Sequence, residues 1–440
     1  MKFVQHYTYK KIIFIVLPPI IMMIFTSLYS IVDGLFLSHY AGKYVFSAVG
    51  FITPYVMMFN SVGFMFGTGG SACIAKMLGE KKGEEANTTF STLIYSSIVV
   101  GVLLSMIGQL LLKPIVLLQG ANGLLLEYSL AYGRVYLLGC TACIVQFEFQ
   151  ALYQTAGKGK LGLKSAILSG FTNIVLDWLF LAIFKFGIVG AAVATVISQF
   201  VGGILPVVYF SSHKDSLLQL KRTKLRYHKL ITICINGSSE MVNNISISIV
   251  SFFYNIKLLH YGGNDGIAAY GIMNYVNFLF TAIFWGYISG IAPIISFYYG
   301  AQNHQELHSL LKKSVRLILS CSFFMFLLSQ TFANWIVSIY AGNDLELLHI
   351  GICGFRLFTW NFLFAGFSIF FSSFFTALNN GFISAILSLC RVFAFQIPAV
   401  LILPNYFHLD GIWVSVVVAE VMSVVLGIFF VEIYKKRYHY

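Results

Sequence analysis

The sequence predicts an all-α integral membrane protein: twelve transmembrane helices in two six-helix lobes, related by an internal repeat about a pseudo-two-fold axis along the membrane normal. Three observations carry this expectation. The composition is too apolar for a water-soluble fold, the apolar residues fall into twelve long runs, and the second half of the chain repeats the first. Of 440 residues, 58% are hydrophobic and only 10% charged, with a mean hydropathy of +0.82. A soluble domain carries roughly 25% charged residues. The same arithmetic excludes disordered, collagenous and coiled-coil chains. Seven scattered cysteines, an odd number, exclude a disulfide scaffold.

A transmembrane helix needs about 20 apolar residues. The runs long enough cover residues 12–38, 47–75, 89–112, 125–153, 162–184, 188–211, 229–259, 267–298, 311–331, 345–377, 382–403 and 411–434. They are continuous, unlike the alternating ~10-residue segments of a membrane β-barrel. The first run is too long for the apolar core of a cleavable signal, and it contains Pro18, Pro19 and Asp33. Past the last run lies a short basic tail, so no soluble catalytic domain is expected there.

The breaks between runs set the orientation. Twenty-one of the 28 Lys and Arg fall at the N-terminus, at the C-terminus and after runs 2, 4, 6 and 8. Only Lys43, Lys113, Lys185 and Lys257 fall on the other side, and Arg134, Arg356 and Arg391 lie within runs. The positive-inside rule therefore predicts a multi-pass protein of the cytoplasmic membrane with both termini cytoplasmic. The net charge of +12 is a topology signal, and no nucleic-acid partner is expected. The basic stretch after run 6 reads as positive-inside bias, or alternatively as a segment resting on anionic lipid.

Sliding the chain by 221 residues superimposes its halves. His39-Tyr40-Ala41-Gly42 falls on His260-Tyr261-Gly262-Gly263, Gly79 on Gly300, Glu85 on Glu306, Gln109 on Gln330 and Thr155-Ala156 on Thr376-Ala377. Arg134 meets Arg356 at 222, and Ser165–Ser169 meets Ser384–Ser388 at 219. Six spans per half is an even number, so both halves enter the membrane in the same direction. The expected organisation is a lobe over 1–211, a cytoplasmic basic linker over 212–228 and a second lobe over 229–440. Two such bundles around a midplane cavity are the usual frame of a secondary transporter working by alternating access.

Five acidic residues lie well inside spans: Asp33, Glu148, Asp177, Glu240 and Glu420. A carboxylate at mid-membrane costs about 2.5–3.5 kcal/mol even on the lenient insertion scale, so each is a functional candidate. Asn173 and Asp177 are four apart and share one helix face. The repeat places Tyr254 opposite Asp33, and no acid opposite Asp177, so a cation site is expected in the first lobe alone. Oxygen ligands of this kind suit Na⁺, while neighbouring carboxyls in low dielectric favour keeping a proton. Both ions stay open, and no metal site beyond Na⁺ is expected. Glu240, Glu420 and Arg391 read as an ion pair of the second lobe or as a substrate site. Glu148 and Gln150 are expected to face the cavity. Arg134 and Arg356 read as helix-end anchors, or else as a gate.

Several segments carry a family likeness. They are Pro18-Pro19 with Ser30-Ile-Val-Asp33-Gly, the run Gly67-Thr-Gly-Gly-Ser-Ala-Cys to Gly79, Asn173-Ile-Val-Leu-Asp177 with Gly187 to Thr195, and Arg391 with Pro398, Pro404, Asp410-Gly-Ile-Trp413 and Glu420. This set, over essentially the whole chain, resembles the multidrug and toxic compound extrusion (MATE) family on its bacterial multidrug-efflux side. The resemblance implies an antiporter exporting small organic compounds in exchange for H⁺ or Na⁺, with no cofactor. It implies a coupling-cation site at Asp33, Asn173, Asp177 and Thr195. Pro18 and Pro19 are expected to act as a hinge in the first span, because proline removes backbone hydrogen bonds. A monomer is expected. A minority of the aromatic residues, 17% of the chain, is expected to line the cavity and suit flat lipophilic cations.

Other motifs carry no chemistry. His304-Gln-Glu306-Leu-His308 has its glutamate in the wrong place for a zinc protease and reads as a solvated helix start. Cys140-Thr-Ala-Cys143 and the Gly63/Gly67 and Gly286/Gly290 pairs read as helix-packing positions. No phosphate-binding loop is present, so ATP is not the expected energy source. The rivals are a flippase for lipid-linked saccharides or an exporter of one metabolite, and an intramembrane enzyme. The first would want a strongly cationic cavity. The last would want a nucleophile–base or metal cluster, which the sequence does not offer.

Overall fold

A computed structural model describes residues 6–41, 43–213, 216–223, 227–341 and 345–440. Lys2, Lys214, Lys224 and Arg226 of the expected basic segments lie outside the described residues. The architecture is all-helical, as an apolar chain in lipid requires: only a helix satisfies its own backbone there. The helices are α1 (Tyr9–Ala41), α2 (Tyr44–Gly79), α3 (Gly83–Leu118), α4 (Gly123–Leu138 and Cys140–Thr155), α5 (Gly159–Ile183) and α6 (Gly187–Ser212). The second half follows with α7 (227–262), α8 (Asp265–Gly300), α9 (His304–Ile339), α10 (Leu345–Ala377), α11 (Gly381–Ile402) and α12 (Pro404–Tyr438).

Two details depart from the sequence expectation. Among the described residues, ten helices are long and apolar enough to cross a membrane, and the two pieces of α4, bent by 61°, make an eleventh. Helix α7 has the length of a span but falls outside that set. Asn236, Ser238, Ser239, Glu240, Asn243 and Asn244 make its first half polar. The loop expected between α7 and α8 is reduced to a single break at Gly263, with φ 56° and ψ −147°.

The repeat is visible in the turns. Left-handed residues recur at the same offset: Lys81 (φ 60°) and Gln302 (φ 54°), then Gly187 (φ 59°) and His408 (φ 50°). After Lys81 and Gln302 the same backbone closure follows, Lys82 N donating to Met77 O (2.9 Å) and Asn303 N to Tyr298 O (3.1 Å). Gln109 Nε2 donates to Arg134 O at 2.7 Å, and Gln330 Nε2 repeats the contact on Arg356 O at 2.8 Å. Arg134 and Arg356 themselves are exposed.

The buried apolar side chains divide near the middle of the chain. Two cores are built from the first half, with Ile233 of α7 added. A third is built from residue 250 onward, with Tyr7, Ile12 and Val16 at the start of α1 added. The halves meet at the lysine-rich end. There a Cβ on Gly79 would overlap the Phe297 carbonyl oxygen, and one on Gly300 would overlap that of Lys76, so α2 and α8 cross backbone to backbone. Gly286 and Gly290 of α8 pack on α1 at Pro19–Ile20 and at Val16 in the same way. Gly63 and Gly67 bring α2 onto Ile144 and Glu148 of α4. These glycine pairs are packing positions, as small residues are between membrane helices.

Candidate coupling-cation site

Helices α1 and α5 run parallel and in close contact. The α-hydrogen side of Gly170 faces Phe25 and Tyr29, where a Cβ would come within 2.7–2.8 Å of their rings. One to two turns further along, the same approach brings Asp33 of α1 beside Asp177 of α5, close enough for the two carboxyls to interact. Asp177 is fully buried and Asp33 half-buried. Neither is satisfied by the protein: Asp33 Oδ1 and both oxygens of Asp177 are buried without a hydrogen-bond partner. Asn173, one turn before Asp177, is buried as well, and its Oδ1 also lacks a donor. Buried acceptors are nearly always paired. A cluster of acceptor oxygens left open is what a proton or an oxygen-coordinated cation fits.

Thr195 reaches this cluster through Tyr132. The Thr195 hydroxyl donates to Ala191 O (3.0 Å) and faces the Tyr132 hydroxyl, and the Tyr132 ring stands within electrostatic reach of Asp33 and Asp177. Tyr132 stacks on Tyr136 at 5.9 Å. The Tyr136 hydroxyl is a hub, accepting from Asn60 Nδ2 at 3.0 Å and from Gln199 Nε2 at 2.8 Å, with Cys143 Sγ at 3.6 Å. Tyr29, Tyr132, Tyr136, Asn60 and Gln199 were not singled out by sequence as parts of this site. One signal was available: Tyr132/Tyr136 and Thr195/Gln199 are each polar pairs at a spacing of four, on one face of their helices.

The remaining candidates separate. Gln150 lines a small cavity of about 10 Å³ with Tyr29, Gln146 and Tyr153, room for about one water. Glu148 does not share that wall. Residues two apart on a helix point to opposite sides, and Glu148 is fully buried near Ser97 of α3, both its oxygens without a hydrogen bond. In the second half, Arg391 pairs with Glu420, Nε to Oε1 at 3.0 Å. Glu240, buried on α7, accepts from Ser373 Oγ at 3.5 Å and lies within electrostatic reach of Arg391. Pro18 and Pro19 sit inside an unbroken α1. The solvated helix start expected at His304–His308 is corrected: Glu306 is only 4% exposed, because the segment before α1 folds over it. Cys140 and Cys143 are buried free thiols in the first turn of the second piece of α4.

The MatE family model matches the chain twice, over residues 18–179 and 241–402. The multidrug export protein MepA of Staphylococcus saprophyticus is 22% identical over 430 residues, covering 98% of this chain and 94% of its own. MepA of Staphylococcus aureus is 23% identical with the same coverage. Among solved structures, a MATE in complex with MaL6 superposes with a TM-score of 0.94 at 22% identity, covering 100% of this chain and 99% of that one. The outward-facing conformation of a multidrug resistance MATE family transporter gives 0.93 at 22% identity, with the same coverage. With the family model spanning most of both halves and the whole fold superposing, the chain belongs to the MatE family of multidrug efflux transporters: a multi-pass membrane transporter and not an enzyme.

Proposed function

We propose that the protein is a secondary antiporter that exports small organic compounds, lipophilic and cationic in character, in exchange for H⁺ or Na⁺. The observation that carries this reading is the Asp33–Asp177 pair, which adjoins in the first lobe with its acceptor oxygens unsatisfied. Two carboxyls shut away from water repel each other when both are ionised. One proton, or one alkali cation held by Asp33, Asn173, Asp177 and Thr195, removes that repulsion. The site resides in the lobe over 1–211, which the segment 212–228 links to the lobe over 229–440.

The coupling follows from charge. With the lysine-rich end in the cytoplasm, the halves as they stand are closed to the cytoplasm. An ion arriving from outside neutralises the pair, removes a buried charge and lets α1 bend. Pro18 and Pro19 supply the place where α1 bends, fifteen and fourteen residues before Asp33. The bend narrows the first-lobe cavity and drives the compound outward. The protein works as a monomer in the cytoplasmic membrane, with both termini cytoplasmic.

The test is dye uptake by inside-out vesicles containing the protein. Uptake of a lipophilic cationic dye is compared under an imposed proton gradient, an imposed sodium gradient, or neither. Gradient-driven uptake that disappears in both Asp33→Asn and Asp177→Asn is the expected result, and the effective gradient names the ion. No uptake by the wild type under either gradient overturns broad drug export in favour of lipid-linked saccharide or single-metabolite transport.

A further inference from the structure

Each half of the chain carries a carboxylate in the first turn of its third helix, Glu85 in α3 and Glu306 in α9, at the repeat offset of 221. Each of them reaches across to the segment that leads into the first helix of the other half. Glu306 Oε2 lies 2.8 Å from His6 Nδ1, and Oε1 accepts the Tyr7 N–H at 2.8 Å. Lys313 Nζ donates to Tyr7 O at 2.5 Å, and Arg316 Nη1 donates to the Tyr9 hydroxyl at 3.2 Å. The Tyr7 ring is buried in the core of the second half, edge-on to Tyr298 at 5.9 Å.

The mate of this contact has different chemistry in the same place. Glu85 is ion-paired with Lys229 at the start of α7, and Lys229 falls on Thr8 in the repeat, next to Tyr7. The chain before α7 lies along α3, with Gln219 N donating to Asn87 Oδ1 (2.8 Å) and Lys221 N to Ser91 Oγ (2.9 Å). One side thus uses a lysine, and the other a histidine and a backbone N–H. The residues differ, yet the link between halves is kept. Both links join one half to the other, and both lie at the end where α2 and α8 cross.

We propose that Glu85 and Glu306 are twin latches of the transport cycle: they hold the halves together at the lysine-rich end, and both let go before that end opens. This rests on the transporter reading above. A contact made in one state only shifts the balance towards that state by its own free energy. Two such contacts at opposite sides of the crossing keep the closed state favoured until the site above them changes.

Ser289 of α8, whose hydroxyl lies 3.4 Å from Gln150 O on α4 of the other half, serves as the reporter. In Ser289→Cys protein, a membrane-impermeant maleimide is applied from the lysine-rich side, with the seven native thiols alone as background. Adding Glu85→Gln and Glu306→Gln together should speed labelling about five-fold or more, with each single change in between. An unchanged rate in the double variant overturns the proposal. This readout needs no transport, so it stands if the antiporter reading fails. The complementary test oxidises His6→Cys/Glu306→Cys and Glu85→Cys/Lys229→Cys proteins. Cross-linking should stop dye uptake and reductant restore it. Uptake that continues through a formed cross-link makes the contacts permanent tethers and overturns the latch.

Discussion

Arg391 on α11 holds Glu420 on α12 by two donors on a single oxygen, Nε at 3.0 Å and Nη2 at 2.5 Å from Oε1, while Oε2 has no hydrogen bond. With Glu240 also in electrostatic reach, one guanidinium answers two buried carboxyls. Removing one partner of a buried pair leaves an uncompensated charge, which costs about 3 kcal/mol or more. Arg391→Met should therefore lower the thermal unfolding temperature in detergent, and adding Glu420→Gln should recover most of the loss. An Arg391→Met protein as stable as the wild type would mean that the pair contributes nothing.

Tyr132 is the group that connects Thr195 to the carboxyl pair. Tyr132→Phe keeps the ring stacked on Tyr136 and deletes only the hydroxyl. A neutral hydrogen bond contributes about 0.5–1.5 kcal/mol, so the coupling ion should bind roughly two- to twelve-fold more weakly. The measurement is the ion concentration giving half-maximal dye uptake. The maximal rate should change far less than in Asp177→Asn.

Tyr136 has a different role. Asn60 and Gln199 both donate to its hydroxyl, and Tyr136→Phe strands two buried amides. Each unsatisfied donor costs about 1–3 kcal/mol. Tyr136→Phe should thus be the less stable of the two tyrosine variants by thermal unfolding. Equal stability of the two would show that water replaces the lost acceptor.

The hinge assigned to α1 predicts that Pro18→Ala together with Pro19→Ala cuts transport while expression and ion binding stay near wild type. Alanine restores the helical hydrogen bonds that proline removes. Transport at the wild-type rate would rule out bending at this point.

Gly79 and Gly300 meet the opposing backbone with no space for a methyl group. Gly79→Ala should push the ends of α2 and α8 apart, at about 1–3 kcal/mol. Faster maleimide labelling of Ser289→Cys from the lysine-rich side is the expected readout. A rate equal to that of Ser289→Cys alone would place the interface elsewhere.

The sequence by itself determined the solvent, the spans and the repeat. Apolar runs, lysine-bearing breaks and a constant offset are properties of the chain read in one dimension, and a helix in lipid has no other way to satisfy its backbone. It also made Asp33, Asn173, Asp177 and Thr195 candidates, the carboxyls because a charge in a span needs a reason, Thr195 through the family resemblance alone. Only the tertiary structure decided which side chains share a site. Tyr132 and Tyr136 enter through the rotation of the first piece of α4, before its bend at Gly139, and Arg391 selects Glu420 through the register of α11 on α12. Gln150 faces a cavity while Glu148 faces α3. The physical reason is that helical periodicity fixes neighbours within one helix. Contacts between helices depend on rotation and register, which the close approach of small residues sets, as at Gly170, Gly286 and Gly79. For the same reason the burial of Glu306 beneath His6 and Tyr7, 300 residues away in the chain, was out of reach of any local pattern.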